Sequence, residues 1–212
     1  MKLFASGREA DLFDLGNGRA LRRHRTPGRA EREAAVMAHA RASGFPVPQV
    51  YESLPDGMVL ELIRGPTMLE DLRRRPWRLR SHGQLLATLH ERLHVIAAPP
   101  ALGIGAFLHL DLHPENVLLS PTGPMVIDWT NAAAGDPWLD VALTWVILAT
   151  SDAPGRVARA GRSAFTRSFL AMFDPSEVRR ALPAAAERRL RDPNVRDTER
   201  EAVRRLVAAE AL

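Results

Sequence analysis

Residues 107–128 constrain what this chain can fold into more than any other stretch. Phe107 and Leu108 are apolar. The polar loop His109-Leu110-Asp111-Leu112-His113-Pro114-Glu115-Asn116 follows them. Val117-Leu118-Leu119 is apolar again, Pro121-Thr122-Gly123-Pro124 is a turn, and Met125-Val126-Ile127 leads into Asp128. Short apolar runs bounded by Pro, Gly, Asn and Asp read as strand, loop, strand, turn, strand. Two carboxylates and an amide are thereby mounted on one hairpin.

The pattern H-x-D-x-x-x-x-N, then a strand ending in Asp, is the layout of a kinase catalytic loop and its metal-binding Asp. Phosphoryl transfer needs a carboxylate at the attacking hydroxyl and oxygen ligands for magnesium at the nucleotide phosphates. Asp111 suits the first task. Asn116 and Asp128 suit the second, because magnesium takes hard oxygen donors and keeps several waters.

These residues resemble the aminoglycoside phosphotransferase and choline kinase-like family. HLDLHPEN stands where that family has H-G-D-x-H-x-x-N, with His113 at its second His. Ile127-Asp128-Trp129 matches its I-D-W. Gly135-Asp136-Pro137-Trp138-Leu139-Asp140-Val141-Ala142 matches its G-D-P-x-x-D-L/V-A. Leu110 replaces a Gly, a departure expected to matter little because its side chain should not touch phosphate. The resemblance is specific over 107–142 and looser over about 4–95. It implies an α+β, bilobal protein-kinase-like fold in an unusually short member. Residues 1–64 would form a small antiparallel-sheet N-lobe. Residues 65–212 would form a mostly helical C-lobe carrying the catalytic β-hairpin.

The rest of the chain fits that order. Residues 3–25 read as strands around the hairpin turn Gly16-Asn17-Gly18. Residues 29–43 read as a helix, and 49–53 and 58–63 as two more strands. Gly65-Pro66 breaks the chain at an expected interlobe hinge. Helices are expected at 68–74, 79–95, 139–150, 155–173, 175–191 and 196–211. The apolar run Val141–Ala149 is too short to span a bilayer and reads as a buried helix.

The expected nucleotide site lacks the usual strand-three Lys, since Lys2 is the only lysine. If Ala20 packs on the adenine, strand alternation turns Arg22 to the same side. The family often has Arg there, and its planar fork suits phosphate oxygens. The alternative is a solvated strand charge. Glu31 and Glu33 are the candidate partners. The family's R-E-A-x-x-L matches Arg32-Glu33-Ala34-Ala35-Val36-Met37 and favours Glu33. Ser6 and Gly7 stand where a phosphate-covering loop should lie. Glu61, Leu62 and Ile63 align with the family's hinge, whose backbone meets the adenine edge. His109 is expected to pack under the loop. His113 is open between orienting Asp111 or Asp128 and capping the loop. Asp136 and Asp140 are expected to brace the loop or cap the next helix, with Asp136 also a candidate near the metal.

Composition narrows the function classes. The chain carries a net charge of +4 and a pI near 10.7. Residues 1–150 hold 16 basic and 16 acidic side chains, so the excess lies in the C-terminal helices. Those charges are interleaved, as on a solvated helix face. No aromatic–basic pattern supports nucleic-acid binding. With no cysteine, disulfide and thiolate chemistry are excluded. The first residues lack a signal-peptide apolar core, so a cytoplasmic protein without membrane attachment is expected. The oligomeric state is not legible.

The expected activity is ATP- and Mg2+-dependent transfer of a γ-phosphoryl group to a hydroxylated small molecule. A small protein kinase and an ATP-binding pseudokinase module are the rivals. The acceptor is open. Aminoglycoside kinases have a sizeable helical insertion where this chain has only residues 91–108. A polycationic acceptor also wants an acidic pocket, whereas the C-terminal helices are net basic. A neutral or anionic metabolite, or a larger partner, fits better.

Overall fold

The computed structural model describes residues 2–6, 10–25 and 28–210. Strands β1 (Lys2–Ser6), β2 (Ala10–Gly16), β3 (Arg19–His24), β4 (Val50–Leu54) and β5 (Gly57–Glu61) form an antiparallel sheet in the order β1-β2-β3-β5-β4. Gly16, Asn17 and Gly18 take φ of 82°, 51° and 72°, values that Gly and Asn tolerate and that a tight hairpin turn demands. Helix α1 (Ala30–Ala42) lays Ala34, Val36, Met37 and Ala40 into the core. Gly44 at φ 77° ends it, its N–H donating to the Arg41 carbonyl at 2.9 Å.

The remaining chain is mostly helical. Helix α2 (Met68–Arg74) opens with a reciprocal capping box between Thr67 and Glu70, which satisfies two otherwise orphaned N–H groups. Then come α3 (Leu79–His94), α4 (Pro137–Thr150), α5 (Gly155–Leu170), α6 (Pro175–Arg191) and α7 (Asp197–Glu210). α4 packs on α6, and α3 packs on α5. α4 is apolar almost all round, and its residues from Asp140 to Leu148 are buried, as a helix in the middle of a bundle must be. Among the described residues no helix is long and apolar enough to cross a membrane.

The segment from Phe107 to Asp128 differs from expectation in one respect. β7 (Val117–Ser120) and β8 (Gly123–Val126) pair with each other. β6 (Ala106–Leu108) instead pairs with β9 (Ala133–Gly135). Ala133-Ala134-Gly135 has no β-branched or aromatic residue, so propensity gave no sign of a strand. The loop between β6 and β7 is therefore anchored by two separate ladders. Below it, Trp129 is 1% exposed, and its ring lies 4.7 Å from His109, 5.3 Å from Phe107 and 5.6 Å from Phe45 by centroid.

Where the chain enters the helical lobe, its backbone is pinned to the β7–β8 hairpin. The Leu119 N–H donates to the Pro66 carbonyl at 2.9 Å, and Thr67 bridges Leu118. A Cβ at Gly65 would sit 2.2 Å from the Leu119 oxygen, so no other residue fits there without moving the hairpin.

Candidate functional site

The loop from His109 to Asn116 is shaped from beneath by Asp140, in the first turn of α4. Its carboxylate accepts the His109 N–H at 3.0 Å and the Leu110 N–H at 2.7 Å. His94 Nε2 lies 3.0 Å from the same group. Asp140 is fully buried. Burial opposes its charge, but the hydrogen bond from His94 and the neighbouring imidazoles outweigh it and hold the carboxyl well below its ordinary range. Asp140 thus braces the loop. Asp136 caps α4 through the Trp138 N–H at 3.0 Å and pairs with Arg180 at 3.1 Å. It is exposed at the helix start.

Leu110 is where the sequence reading needs correction. Its φ is 60°, in the left-handed region that costs a non-glycine residue about 1–2 kcal/mol. The family glycine is therefore conformational, and Leu110 holds the same turn under strain. Its side chain is buried, and its N–H is fixed by Asp140. Asp128 also takes a positive φ, 64°. Leu110 and Asp128 are thus both held on sparsely populated backbone.

Asn116 Nδ2 donates to the Asp111 carbonyl at 2.9 Å and to Asp111 Oδ2 at 3.2 Å. These acceptors fix the amide orientation and turn Asn116 Oδ1 away from the loop. His113 Nε2 stands 3.5 Å from Asp111 Oδ1, and its Nδ1 accepts the Glu115 N–H at 3.3 Å. His113 therefore faces Asp111 and closes the loop at once. His109 is fully buried, and its Nε2 lies 3.1 Å from the Ile127 carbonyl. Burial pushes its pKa down, which favours a neutral ring beneath the site.

The sheet lobe contributes a buried ion-pair chain. Arg22 Nη1 pairs with Glu33 Oε1, and Arg22 Nη2 reaches Asp128 Oδ1 at 3.1 Å. Glu33 is 2% exposed and also accepts the Trp129 N–H at 3.0 Å. His24 Nε2 lies 3.2 Å from Glu33 Oε2, but without hydrogen-bond geometry. Burial opposes the charge of Asp128, yet Arg22 and the Thr130 hydroxyl, which donates at 3.0 Å, hold its carboxyl below the ordinary range. Burial likewise works against the Arg22 cation, and the two carboxylates outweigh it. Thr130 and His24 belong to this site and were missed in sequence. No motif marks them: Thr130 reaches Asp128 from two positions further along the chain, and the packing of α1 on the sheet brings His24 to Glu33.

Arg22 and Asp128 open onto a cleft of about 370 Å³, walled by apolar Leu12, Met37, Leu60 and Ile127 and bounded by Glu61 and Ile63. Leu62 is turned inward, and its N–H donates to the Gly18 carbonyl at 2.8 Å. Its amide is therefore taken. The Ile63 N–H has no partner among the described residues. Ser6 is exposed and donates to Asp11 Oδ1 at 2.6 Å. Gly7 lies outside the described residues. Among the described residues no three His, Asp or Glu side chains cluster as a metal site. The oxygens that suit a hard cation are Asn116 Oδ1 and Asp128 Oδ2, neither of which accepts a hydrogen bond among the described residues.

The sequence model of the phosphotransferase enzyme family matches residues 55–180, more than half of the chain. No curated protein sequence matches it. Similar solved structures include the aminoglycoside phosphotransferase APH(4)-Ia, at 17% identity and TM-score 0.66, covering 99% of this chain and 92% of that one. A choline/ethanolamine kinase family protein from Mesorhizobium loti has 18% identity and TM-score 0.59, covering 100% and 86%. ADP-bound APH(2'')-Ib has 12% identity and TM-score 0.63, covering 97% and 91%. At these identities the likeness concerns the fold, which is protein-kinase-like.

Proposed function

Since the chain belongs to the phosphotransferase enzyme family, we propose that it moves the γ-phosphoryl group of ATP to a hydroxyl of a small molecule, with Mg2+. The observation that carries this reading is an apolar cleft lined by Arg22 and Asp128, whose strand is tied to the Asp111–Asn116 loop by the Ile127 N–H donating to the Asn116 carbonyl at 3.0 Å. The lobe boundary is placed at 64/65, where the chain crosses. The apolar walls take the base, with the Ile63 N–H as a free donor at its edge. Asn116 and Asp128 would hold the metal, which supplies charge neutralisation at the phosphates.

Asp111 accepts the acceptor's hydroxyl proton as the new O–P bond forms and ADP leaves. His113 and Asn116 orient that carboxylate from either side. Arg22, anchored by Glu33, exchanges Asp128 for the phosphate oxygens. This exchange suits a guanidinium, whose several donors serve two partners at once. Ser6 and Gly7 would cover the phosphates. The net-basic C-terminal helices favour a neutral or anionic acceptor over a polycation.

The test is ATP consumption with Mg2+ across a metabolite library, with Asp111→Asn as the comparison. Transfer should fall about 10²–10⁴-fold while ATP affinity stays within twofold. Wild-type turnover in Asp111→Asn would refute the assignment. ATP binding without turnover on any acceptor would favour a nucleotide-binding module.

A further inference from the structure

A second cavity, of about 420 Å³, is lined by Glu33 and Trp129, neither of which lines the nucleotide cleft. Its lining joins the start of α1 to α6 and to the segment after Asp128. Arg29, Arg32, Arg188, Thr130 and Asn131 all face it. Among the described residues Glu33 is the only carboxylate in the lining, and it is already engaged by Arg22 and the Trp129 N–H. The guanidinium groups of Arg32 and Arg188 therefore meet in one concavity without a carboxylate partner among the described residues.

Arg188 is singular on its helix. Arg179, Arg180, Arg189 and Arg191 of α6 each pair with a carboxylate. Arg188 makes no hydrogen bond or ion pair among the described residues, and it is the one that faces the cavity. Arg32 donates Nη2 to the Ala132 carbonyl at 3.0 Å, which leaves its other donors for a ligand. The start of α1 has no side-chain cap, so its first N–H groups add to the positive field.

We propose that this cavity binds a phosphate-bearing anion, with the phosphate on the Arg188 and Arg32 forks and an organic remainder in the rest of the space. Planar guanidinium groups match phosphate oxygens in pairs, and the volume exceeds what a bare phosphate fills. The bound anion would tie α1 to α6. It would also sit against Thr130, whose hydroxyl holds Asp128. Occupancy is therefore coupled to the metal carboxylate, although the site is separate from the nucleotide cleft and does not depend on the activity proposed above.

The experiment is thermal stability of the full chain titrated with inorganic phosphate or glycerol 3-phosphate at constant ionic strength set with chloride. Saturable stabilisation is expected, tighter for the ester. Arg188→Glu should weaken it by about tenfold or more, as expected for loss of a charge-assisted pair. Arg205→Glu, the same charge change at an exposed position on α7, should leave it unchanged. ATP-dependent stabilisation of Arg188→Glu, equal to wild type, reports that the variant is folded. The proposal fails if wild type shows no saturable response, or if Arg188→Glu and Arg205→Glu respond alike.

Discussion

The base of the loop from His109 to Asn116 and the wall of the apolar cleft are both built around a carboxylate, and they are built differently. Asp140 is fully buried and spends itself on two backbone N–H groups and one imidazole, all within 3.0 Å. Nothing a ligand brings can reach it. Asp128 is partly open and shares one side chain, Arg22, with Glu33 on the opposite lobe. The first arrangement fixes geometry and the second can be exchanged. A phosphotransferase needs both, because the reacting carboxylate must be held still while the nucleotide's charge is taken in and let go.

The sharpest way to break this contrast is Asp140→Ala. It strands two buried N–H groups and His94, and should cost about 5 kcal/mol, the upper end for breaking a buried pair. Urea unfolding measures it, and a loss below 1 kcal/mol would show that the loop holds its shape without the brace.

Arg22→Ala tests the exchangeable side. Glu33 keeps the Trp129 N–H but loses its cation, so about 3 kcal/mol of stability should go, together with ATP affinity by about tenfold. Titration calorimetry on the folded variant separates the two. Unaltered ATP affinity would mean that Arg22 serves only Glu33.

Acid should attack the rigid side first. His90 is fully buried against Leu86 and Thr144, and Thr144 in turn donates to the Leu112 carbonyl of the loop. Burial pushes its pKa down to about 4, below the unfolded value near 6.5. A depressed histidine favours the folded state above the unfolded pKa. That stability drains as pH falls from about 6.5 towards 4, by on the order of 2 kcal/mol at pH 5. His109 shifts in the same direction. Asp140, also depressed, acts only below the ordinary carboxylate pKa of about 3.9. His90→Gln should flatten the profile between pH 6.5 and 4, and an equally steep profile would move the cause elsewhere.

The smallest effect should come from Arg23→Ala. Arg23 points to solvent and pairs with exposed Asp56 at 3.2 Å. Stability should change by less than about 0.5 kcal/mol, with ATP affinity untouched. Equal effects at Arg22 and Arg23 would overturn the strand register.

What was legible in sequence was what neighbours in the chain decide. Strand alternation separates Arg22 from Arg23. Gly16-Asn17-Gly18 declares its turn. The spacing from Asp111 to Asn116 marks the loop. What was hidden depends on residues far apart. The φ of Leu110 is set by a carboxylate thirty positions away, so glycine's absence looked harmless. β9 has no strand propensity and exists because β6 needs a partner. The arginine cavity unites α1 with α6, and no local pattern joins Arg32 to Arg188.

The bridge from Arg22 to Asp128 has a kinetic corollary. The guanidinium holds Asp128 Oδ1, so its positive charge stands beside the oxygen that a divalent cation would use under the proposed function. A lone cation would be repelled by that charge, while a metal–nucleotide complex would offer the arginine phosphate oxygens in return. Order of arrival would then follow from one ion pair. The cation would enter as part of the nucleotide complex, and apparent nucleotide affinity would be reduced by the fraction of molecules in which the bridge is closed.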